Sequence, residues 1–579
     1  MRFSRRDLLK AGAVVAAVAA SGACSGRSPA KPVAGGTAEA SGLPKTTSRA
    51  TLLRGPASNA GGYVHLVAGP GEQHVVRTEL GGAPAADRRR RRRPLLSFGH
   101  LTDLHVVDAQ SPARVEFVDR YNDTHPDGPF SAAYRPQEML ATQVADTMVA
   151  TLRSFRRGPV LGGPLTFSIS TGDAVDNCQF NELRWMIDLL DGKATLHPDS
   201  GDRTRYEGVA DSDPHYYDPH YWHPDGPPAG KPDDVAHTTY GFPRAPGLLD
   251  AARQPFSTTG LSTPWFAAHG NHDGLVQGNA PVTAALDAVA TGPAKVVGVQ
   301  QGVDPNSAAS AVLSGKPLPP GTIVRPVTPD PDRRLLTRRQ TIEEHFVTRG
   351  TPVGHGFTAQ NRREATAYYT FDPAPEVHAI VLDTVNPGGL SDGSLDRPQF
   401  DWLRREIEGA AARLVVLFSH HTVATMTNAS LGPGDTGPRV LGDEVRAMLL
   451  AHPQVVLWVN GHTHVNKVTS HRRASGAPGG FWELNTASHI DWPQQSRLVE
   501  LADNGDGTLS VFGTILDFAA PEADPTKLDS PARLAALSRE LAANDWQERS
   551  GHSATVDGRR GAAADRNVEL VVPDPRRRS

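Results

Sequence analysis

The stretch LLSFGHLTDLH, residues 95–105, joins an apolar run to an aspartate and a histidine spaced two apart. The run predicts a buried β-strand, with Asp103 and His105 just beyond its carboxyl end. Because residues i and i+2 of an extended chain point to the same face, we expect these side chains to form a two-armed ligand. A carboxylate combined with an imidazole suits zinc, iron, manganese or cobalt rather than calcium.

Four further apolar runs end in the same way. LTFSIST (165–171) precedes Asp173, PWFAAHG (264–270) precedes Asn271 and His272, RLVVLFS (413–419) precedes His420 and His421, and QVVLWVN (454–460) precedes His462 and His464. Helical patterns lie between these runs, at 135–155 and 397–412. Strands that alternate with helices predict an α/β fold with largely parallel sheets, in which ligands bind at the carboxyl ends of the strands. All five groups of polar side chains can therefore meet at one edge.

The order of the groups is more specific than any one of them. D-x-H alone is expected about once by chance in a chain of this length, whereas G-N-H-D is expected well under once in roughly a hundred such chains. In sequence, D-x-H, G-D-x-x-D, G-N-H-D, a strand-end histidine and G-H-x-H resemble the motif series of the calcineurin-like metallophosphoesterase superfamily, over about residues 96–515. The resemblance implies a four-layer αββα sandwich of two mixed β-sheets flanked by helices, with the metal site at the carboxyl ends of strands.

The same resemblance implies a dinuclear centre of two divalent or trivalent transition-metal ions, manganese, iron or zinc. The first ion would be held by Asp103, His105 and His464, the second by Asn271, His420 and His462, and Asp173 would bridge both. His272 would not bind metal but would act at the scissile phosphate, protonating the leaving oxygen or stabilising the transition state. Asp176 would orient the His272 imidazole and support its charged form.

Some assignments near the motifs leave alternatives open. His420 and His421 are adjacent, so in an extended chain only one can enter the site; we expect His420 to be the ligand and His421 to support it or face the substrate. Asp108 and Arg114 could contact a substrate phosphate or hold loop structure, and arginine suits bidentate phosphate recognition. Cys178 is expected to be a buried small residue rather than a nucleophile.

The N-terminus predicts export. SRRDLLK (4–10), before a short apolar segment, resembles a twin-arginine signal, whose route carries folded proteins. We expect a secreted or cell-envelope protein, with residues 1–35 as signal and spacer and 25–60 flexible throughout. Cys24 in SGAC could carry a lipid anchor, and free secretion is an equal alternative. With only Cys24 and Cys178 in the chain, an internal disulfide requires that Cys24 is retained.

The remaining chain divides into three parts. Residues 36–94 predict an N-terminal extension with a β-hairpin around Pro70-Gly71 and an arginine-rich linker at 88–93. Residues 95–520 predict the metallophosphoesterase domain, with insertions at about 181–260 and 275–365. The aromatic stretch DPHYYDPHYWHPDGPP (213–228) could wall a substrate cleft or pack onto the body. Residues 521–579 predict a C-terminal helix and a partly disordered tail.

The net charge of the chain narrows the classes of partner and function that we expect. A net charge of -4 over 579 residues predicts no nucleic-acid partner, and membrane contact only through the signal or a lipid anchor. We expect an exported metal-dependent phosphoesterase, a phosphomonoesterase or phosphodiesterase, whose partners are its phosphoester substrate and the twin-arginine export machinery. A nuclease of the same superfamily is disfavoured by the acidic balance and the signal. A catalytically silent, metal-stabilised envelope protein is disfavoured by the complete ligand set.

Overall fold

The computed structural model describes residues 46–121, 133–410, 412–473, 477–546 and 558–577. The predicted signal and Cys24 lie outside these ranges. The strands are β1 Ala50–Ala57, β2 Val64–Pro70, β3 Val75–Arg77, β4 Arg93–Leu101, β5 Phe167–Ser170, β6 Thr195–Leu196, β7 Phe256–Ser257, β8 Trp265–Ala267, β9 Leu275–Val276, β10 Ala280–Pro281, β11 Ala294–Val299, β12 Thr322–Pro326, β13 Tyr369–Ala374, β14 Val377–Val381, β15 Leu414–Phe418, β16 Val455–Asn460, β17 Lys467–Arg472, β18 Gly480–Asn485, β19 Gln495–Asp503, β20 Thr508–Asp517 and β21 Val568–Pro573.

The α-helices alternate with these strands. They are Arg88–Arg91, Ala141–Arg153, Phe180–Asp191, Val235–Thr238, Leu248–Arg253, Asn271–Gly274, Ala284–Ala290, Pro305–Ser314, Arg338–His345, Ala359–Glu364, Arg397–Gly409, Gly442–Leu450 and Pro531–Asn544. Among the described residues, no helix combines the length and the apolar character needed to cross a membrane.

Two large mixed sheets form the centre of the fold. Within the described ranges, the larger has seven strands in the order β3-β21-β20-β19-β4-β5-β8, and the smaller has six in the order β13-β14-β15-β16-β18-β17. In the larger sheet β4, β5 and β8 run parallel. In the smaller sheet β14, β15, β16 and β18 run parallel. The loops that follow these parallel strands therefore leave each sheet at one edge.

Aromatic rings join the two sheets. Phe98 and Phe167 stack with their ring centroids 4.9 Å apart, and Phe418 of the smaller sheet meets Phe98 edge-on at 5.4 Å. All three side chains are buried. Burial of one such side chain contributes about 1.5–3 kcal/mol to stability. The sheets thus pack face to face around a shared apolar core.

Helices cover the outer face of each sheet. Helix Ala141–Arg153 packs on the larger sheet, where a Cβ on Gly99 would lie only 3.2 Å from Leu152 Cδ2. Helix Arg397–Gly409 begins at Asp396, whose carboxylate accepts the N–H of Gln399. It covers the smaller sheet with Phe400, Leu403 and Ile407. These layers are the predicted αββα sandwich.

The predicted hairpin at Pro70-Gly71 is wrong. Strand β2 pairs antiparallel with the upstream strand β1, with Ala50 opposite Pro70, and β3 joins the larger sheet beside β21. Strand β1 also lies within 25–60, which we expected to be flexible. Alternating apolar and polar residues predict a strand, but they do not specify which strand it pairs with.

An early and a late segment of the described chain meet on the larger sheet. Strand β21, in the tail expected to be partly disordered, pairs with β20 and β3. Its Glu569 forms ion pairs with Arg88 and Arg92, and the Arg92 guanidinium lies 4.7 Å from the ring centroid of Phe512. Part of the arginine run is therefore a docking element, while Arg89 and Arg90 stay exposed as expected of a linker.

The aromatic stretch at 213–228 packs largely onto the body. Tyr221 and Trp222 are buried in one cluster with Tyr63, Phe242 and Trp546. The Trp222 indole N–H donates to the carbonyl oxygen of Pro243 at 3.2 Å. The structural alternative therefore accounts for this pair of side chains.

Candidate metal centre

Side chains from the five predicted strand ends converge at the edge of the sandwich. Overlapping groups whose possible ligand atoms all lie within 4.8 Å of one another are Asp103, His105 and His464; Asp103, Asp173 and His420; His105, Asp173 and His272; and His420, His421 and His462. The groups share members, so they form one continuous cluster. Asp173, from the loop after β5, belongs to two of them and lies between the others.

The proposed ligands of the first ion face one point. His464 Nε2 lies 3.4 Å from Asp103 Oδ1 and 3.2 Å from His105 Nε2. The main-chain N–H of His462 donates to the Asp103 carboxylate at 3.0 Å and 3.1 Å. Two imidazole nitrogens and a carboxylate at such spacing form a nitrogen and oxygen donor set suited to a transition metal.

The proposed ligands of the second ion meet on the other side of Asp173. His420 Nε2 lies 3.1 Å from Asp173 Oδ2 and 3.2 Å from His462 Nδ1. The Asn271 Nδ2 group donates to the carbonyl oxygen of Gly278 at 3.2 Å. The Asn271 Oδ1 atom is buried and has no hydrogen-bond partner. An orphaned, buried amide oxygen is what a metal ligand presents before it is coordinated.

The backbone at these positions differs from the extended geometry that we expected. Asp103 and His105 have φ values of 51° and 45°, Asp173 has 48°, and His462 and His464 have 71° and 57°. The paired side chains therefore converge through left-handed turns rather than through the pleat of a strand. Such conformations cost roughly 1–3 kcal/mol each in non-glycine residues and are concentrated at functional sites.

Hydrogen bonds fix the imidazole orientations. Nδ1–H of His105 donates to Asp176 Oδ1 at 3.1 Å, that of His464 donates to Asp491 Oδ2 at 2.6 Å, and that of His420 donates to the carbonyl oxygen of Thr171 at 2.9 Å. In each ring, Nε2 is left facing the cluster. This arrangement is typical of metal-binding histidines.

Charge inside the cluster changes the histidine pKa values in opposite directions. Burial lowers the pKa of His105 to about 4. Burial also opposes the charged form of His420, but the Asp173 and Asp103 carboxylates outweigh it and raise the His420 pKa to about 9. The two buried carboxylates therefore favour a positive charge beside them. Metal binding to such a site displaces the proton from the imidazole.

His272 lies next to these ligands and is partly exposed. Its main-chain N–H donates to Asp173 Oδ1 at 2.8 Å, and its Nδ1–H donates to the main-chain oxygen of Asp176 at 2.7 Å. The His272 side chain is 20% exposed, so it is open to solvent beside the cluster.

The carboxylate of Asp176 binds a different histidine from the one we expected. Its Oδ1 is 3.6 Å from His272 Nδ1, whereas it binds His105 at 3.1 Å and forms an ion pair with Arg114. Burial raises the Asp176 pKa, but the positive charge of Arg114 and the bond from His105 outweigh it and lower the pKa. Asp176 orients His272 through its carbonyl and His105 through its carboxylate.

The contacts of Arg114 and His421 favour the structural alternative for each residue over substrate binding. The buried Arg114 guanidinium binds Asp176, Glu116 and Glu138. His421 Nε2–H donates to the carbonyl oxygen of Ser391 at 2.7 Å. Its Nδ1 pairs with the hydroxyl of Thr384 at 2.7 Å. Both side chains are therefore fully engaged by the protein.

Two neighbouring residues have structural roles. Asp108 is buried and pairs with Arg333 at 3.1 Å, which favours the loop-structure alternative. Cys178 is buried among apolar side chains, and burial raises the pKa of its thiol. A thiol held neutral in this way is a packing residue rather than a nucleophile.

Asp491 is the residue at this site that the sequence motifs missed. It lies in the loop after β18, at 4% exposure, against the His464 ring. The signal that could have found it is the same strand-end pattern. GFWELN (480–485) is another apolar run, and His489 and Asp491 follow it within a few residues.

Comparisons with known proteins give partial structural likenesses. No protein-family model matches the chain, and no curated protein matches it. A dimetal phosphatase from Danio rerio aligns at 12% identity and a TM-score of 0.32, over 74% of this chain and 100% of that one. A purple acid phosphatase from yellow lupin (Lupinus luteus) seeds aligns at 8% identity and a TM-score of 0.27, over 72% and 51%.

A Staphylococcus aureus protein described as a 5′-nucleotidase, solved with alpha-ketoglutarate, aligns at 12% identity and a TM-score of 0.26, over 76% of this chain and 58% of that one. The chain thus spans little more than half the length of the lupin and Staphylococcus structures. Because all three TM-scores are below 0.5, we base the function proposed below on the geometry of the site.

Proposed function

We propose that this protein is a metal-dependent phosphoesterase that hydrolyses a phosphomonoester or a phosphodiester. The observation that carries the proposal is the convergence of carboxylates and imidazoles from five strand ends around Asp173. Separate loops supply them, and the loops after β4, β5 and β16 do so from left-handed backbone conformations. Structural packing alone gives no reason to gather so many polar groups at one buried point.

The residues fit two transition-metal ions. Asp103, His105 and His464 would hold one ion, Asn271, His420 and His462 the other, with Asp173 between them. The buried, unpartnered Oδ1 of Asn271 supports this assignment, as does the orientation of Nε2 in His105, His420 and His464 by a hydrogen bond at Nδ1. When bound, two ions would lower the pKa of a shared water and neutralise the charge of the phosphoryl oxygens.

The chain's own contribution centres on His272. With Nδ1–H donated to the carbonyl oxygen of Asp176, Nε2 is the atom available to a bound molecule. In its protonated form that nitrogen donates a proton to the leaving oxygen as the ester bond breaks. The main-chain bond from His272 to Asp173 ties this proton donor directly to the bridging ligand. This hydrogen bond therefore fixes the position of the proton donor relative to Asp173.

The first test is hydrolysis of activated esters by the full chain. The protein loaded with manganese, zinc or iron is expected to cleave p-nitrophenyl phosphate or bis-p-nitrophenyl phosphate, and the ratio of the two rates distinguishes a monoesterase from a diesterase. His272→Ala is expected to lower turnover about 10²–10⁴-fold, the usual contribution of a positioned acid, while metal content stays unchanged. If metal-loaded wild type cleaves neither ester, the silent metal-stabilised alternative is correct.

We also propose that the protein is exported by the twin-arginine route, on the strength of SRRDLLK at 4–10. Replacement of Arg5 and Arg6 by lysine is expected to retain the protein in the cytoplasm, as measured by fractionation. Replacement of Cys24 by serine distinguishes lipid anchoring, which it abolishes, from free secretion, which it leaves intact.

A further inference from the structure

Asp491 lies against a proposed metal ligand, although no motif places it there. It is buried in the loop after β18, and its Oδ2 accepts a hydrogen bond from His464 Nδ1 at 2.6 Å. We propose that Asp491 is the positioning residue of the first metal site: it fixes the His464 ring and strengthens Nε2 as a ligand. This inference rests on the proposed function, because it assigns Asp491 to the same centre.

The hydrogen bond decides which ring nitrogen faces the site. With Nδ1–H bound to the carboxylate, His464 Nε2 carries the lone pair and lies 3.4 Å from Asp103 Oδ1 and 3.2 Å from His105 Nε2. A carboxylate behind an imidazole raises the basicity of the opposite nitrogen. Asp491 therefore acts on metal affinity through His464 without touching the metal position itself.

Asp491 is itself held from two directions. Arg135, just before the helix that covers the larger sheet, places Nε at 2.5 Å from Oδ1. Arg559, from the C-terminal segment, places Nη1 at 3.3 Å from Oδ2. In the same loop, the main-chain N–H of His489 donates to the main-chain oxygen of Asp103 at 2.9 Å. One loop therefore supports two ligands of the same ion.

The second proposed metal site differs in the group that accepts from the histidine Nδ1–H. His420 Nδ1–H donates to a neutral carbonyl oxygen, that of Thr171, whereas both histidines of the first site donate to carboxylates, Asp176 and Asp491. Removal of the Asp491 charge is therefore expected to weaken the binding of one ion and to leave the binding of the other unchanged. A general loss of stability would not make that distinction.

The test is a metal competition on the full chain. Wild type and variants are loaded with Zn²⁺ and titrated with a chromophoric zinc chelator, and zinc per chain is measured at each step. Asp491→Asn keeps an oxygen that can accept from Nδ1–H but removes the charge. We expect it to raise the dissociation constant of one ion about 10–100-fold and to leave the other unchanged. The visible spectrum of the Co²⁺-loaded chain should change in the same variant.

Asp199→Asn is the matched control. Asp199 is also a buried carboxylate paired with an arginine, Arg253 at 3.1 Å, but its other hydrogen bonds go to Gln110 and Ser200 rather than to a candidate ligand. We expect it to bind both ions like wild type, even where its melting temperature falls.

Unchanged binding of both ions by Asp491→Asn, or an equal loss of both, would overturn the proposal. If Asp491→Asn does not fold, Arg135→Gln decides: a smaller loss at one ion is expected, and wild-type binding refutes the inference. Wild type that binds two ions but cleaves no phosphoester contradicts the proposed function while leaving the role of Asp491 supported or refuted by the titration. Wild type that binds no zinc contradicts both.

Discussion

Gly278 lies against the proposed metal ligand Asn271 and the proposed proton donor His272, so a single methyl group there should test the site. Gly278 has a φ of +66°, and a Cβ at this position would lie 2.4 Å from Asn271 Nδ2, 2.4 Å from His272 Cδ2 and 2.5 Å from His272 Nε2. Ordinary contacts between such atoms are about 3.5 Å. In Gly278→Ala the imidazole must therefore move by about 1 Å.

The expected losses of turnover and of stability follow from these distances and from the backbone conformation. A displacement of about 1 Å at a reacting group lowers turnover by roughly 100-fold. An alanine in the left-handed region also destabilises the fold by about 1–2 kcal/mol. We expect Gly278→Ala to lower kcat on bis-p-nitrophenyl phosphate about 100-fold and to lower the unfolding free energy by that smaller amount.

Gly162→Ala separates the two effects. Gly162 has a φ of +67°, and a Cβ there would meet no atom within 4 Å. This control carries the same backbone penalty without the collision, and it should keep wild-type kcat. Activity is measured at saturating metal, with denaturant unfolding in parallel. If Gly278→Ala loses no more activity than Gly162→Ala, His272 does not act where we place it.

Three further outcomes are expected. Asp173→Ala should lose both metal ions by elemental analysis, because Asp173 lies between the two ligand groups, and retention of either ion at wild-type affinity would contradict the bridge. Trp222→Ala should lower the unfolding free energy by about 3–5 kcal/mol with zinc content unchanged, since this residue is wholly buried; lost activity without lost stability would instead favour a cleft role. Burial lowers the pKa of His100 from 6.5 to about 3. The contribution of neutral His100 to the unfolding free energy is therefore complete above about pH 6.5. It is lost as the pH falls toward about 3, by at most about 1.4 kcal/mol per pH unit. In metal-free protein, His100→Gln should flatten the decline in unfolding free energy between about pH 6.5 and 4.5, and an identical slope would show that His100 does not contribute.

The strand-end pattern was sufficient to predict an α/β fold with polar side chains gathered at one edge, and the resemblance to a known motif series implied the sandwich. Apolar runs such as LTFSIST and RLVVLFS form the parallel strands β5 and β15, and the residues after them meet as expected. This works because the carboxyl ends of parallel strands share an edge, whatever the length of the chain between them. The insertions therefore did not hide the site.

Details that depend on tertiary neighbours could not be predicted. The left-handed turns at Asp103 and His105 are one such detail, because the local sequence favours extended structure there. Arg114 reads as a phosphate contact by residue type, yet Glu116, Glu138 and Asp176 surround it. Glu116 is only two residues away, but Glu138 and Asp176 come from other segments of the chain, so no local pattern reveals the whole set. The pairing of β1 with β2 was missed because an alternating pattern does not specify the partner strand.

The position of β21 has a consequence for truncation. This strand lies between β3 and β20, so the larger sheet joins an early described segment to a late one. Arg559, which contacts Asp491, precedes the strand in the same described range, 558–577. A chain shortened to before residue 558 would therefore lose both the strand that joins β3 to β20 and one contact of Asp491.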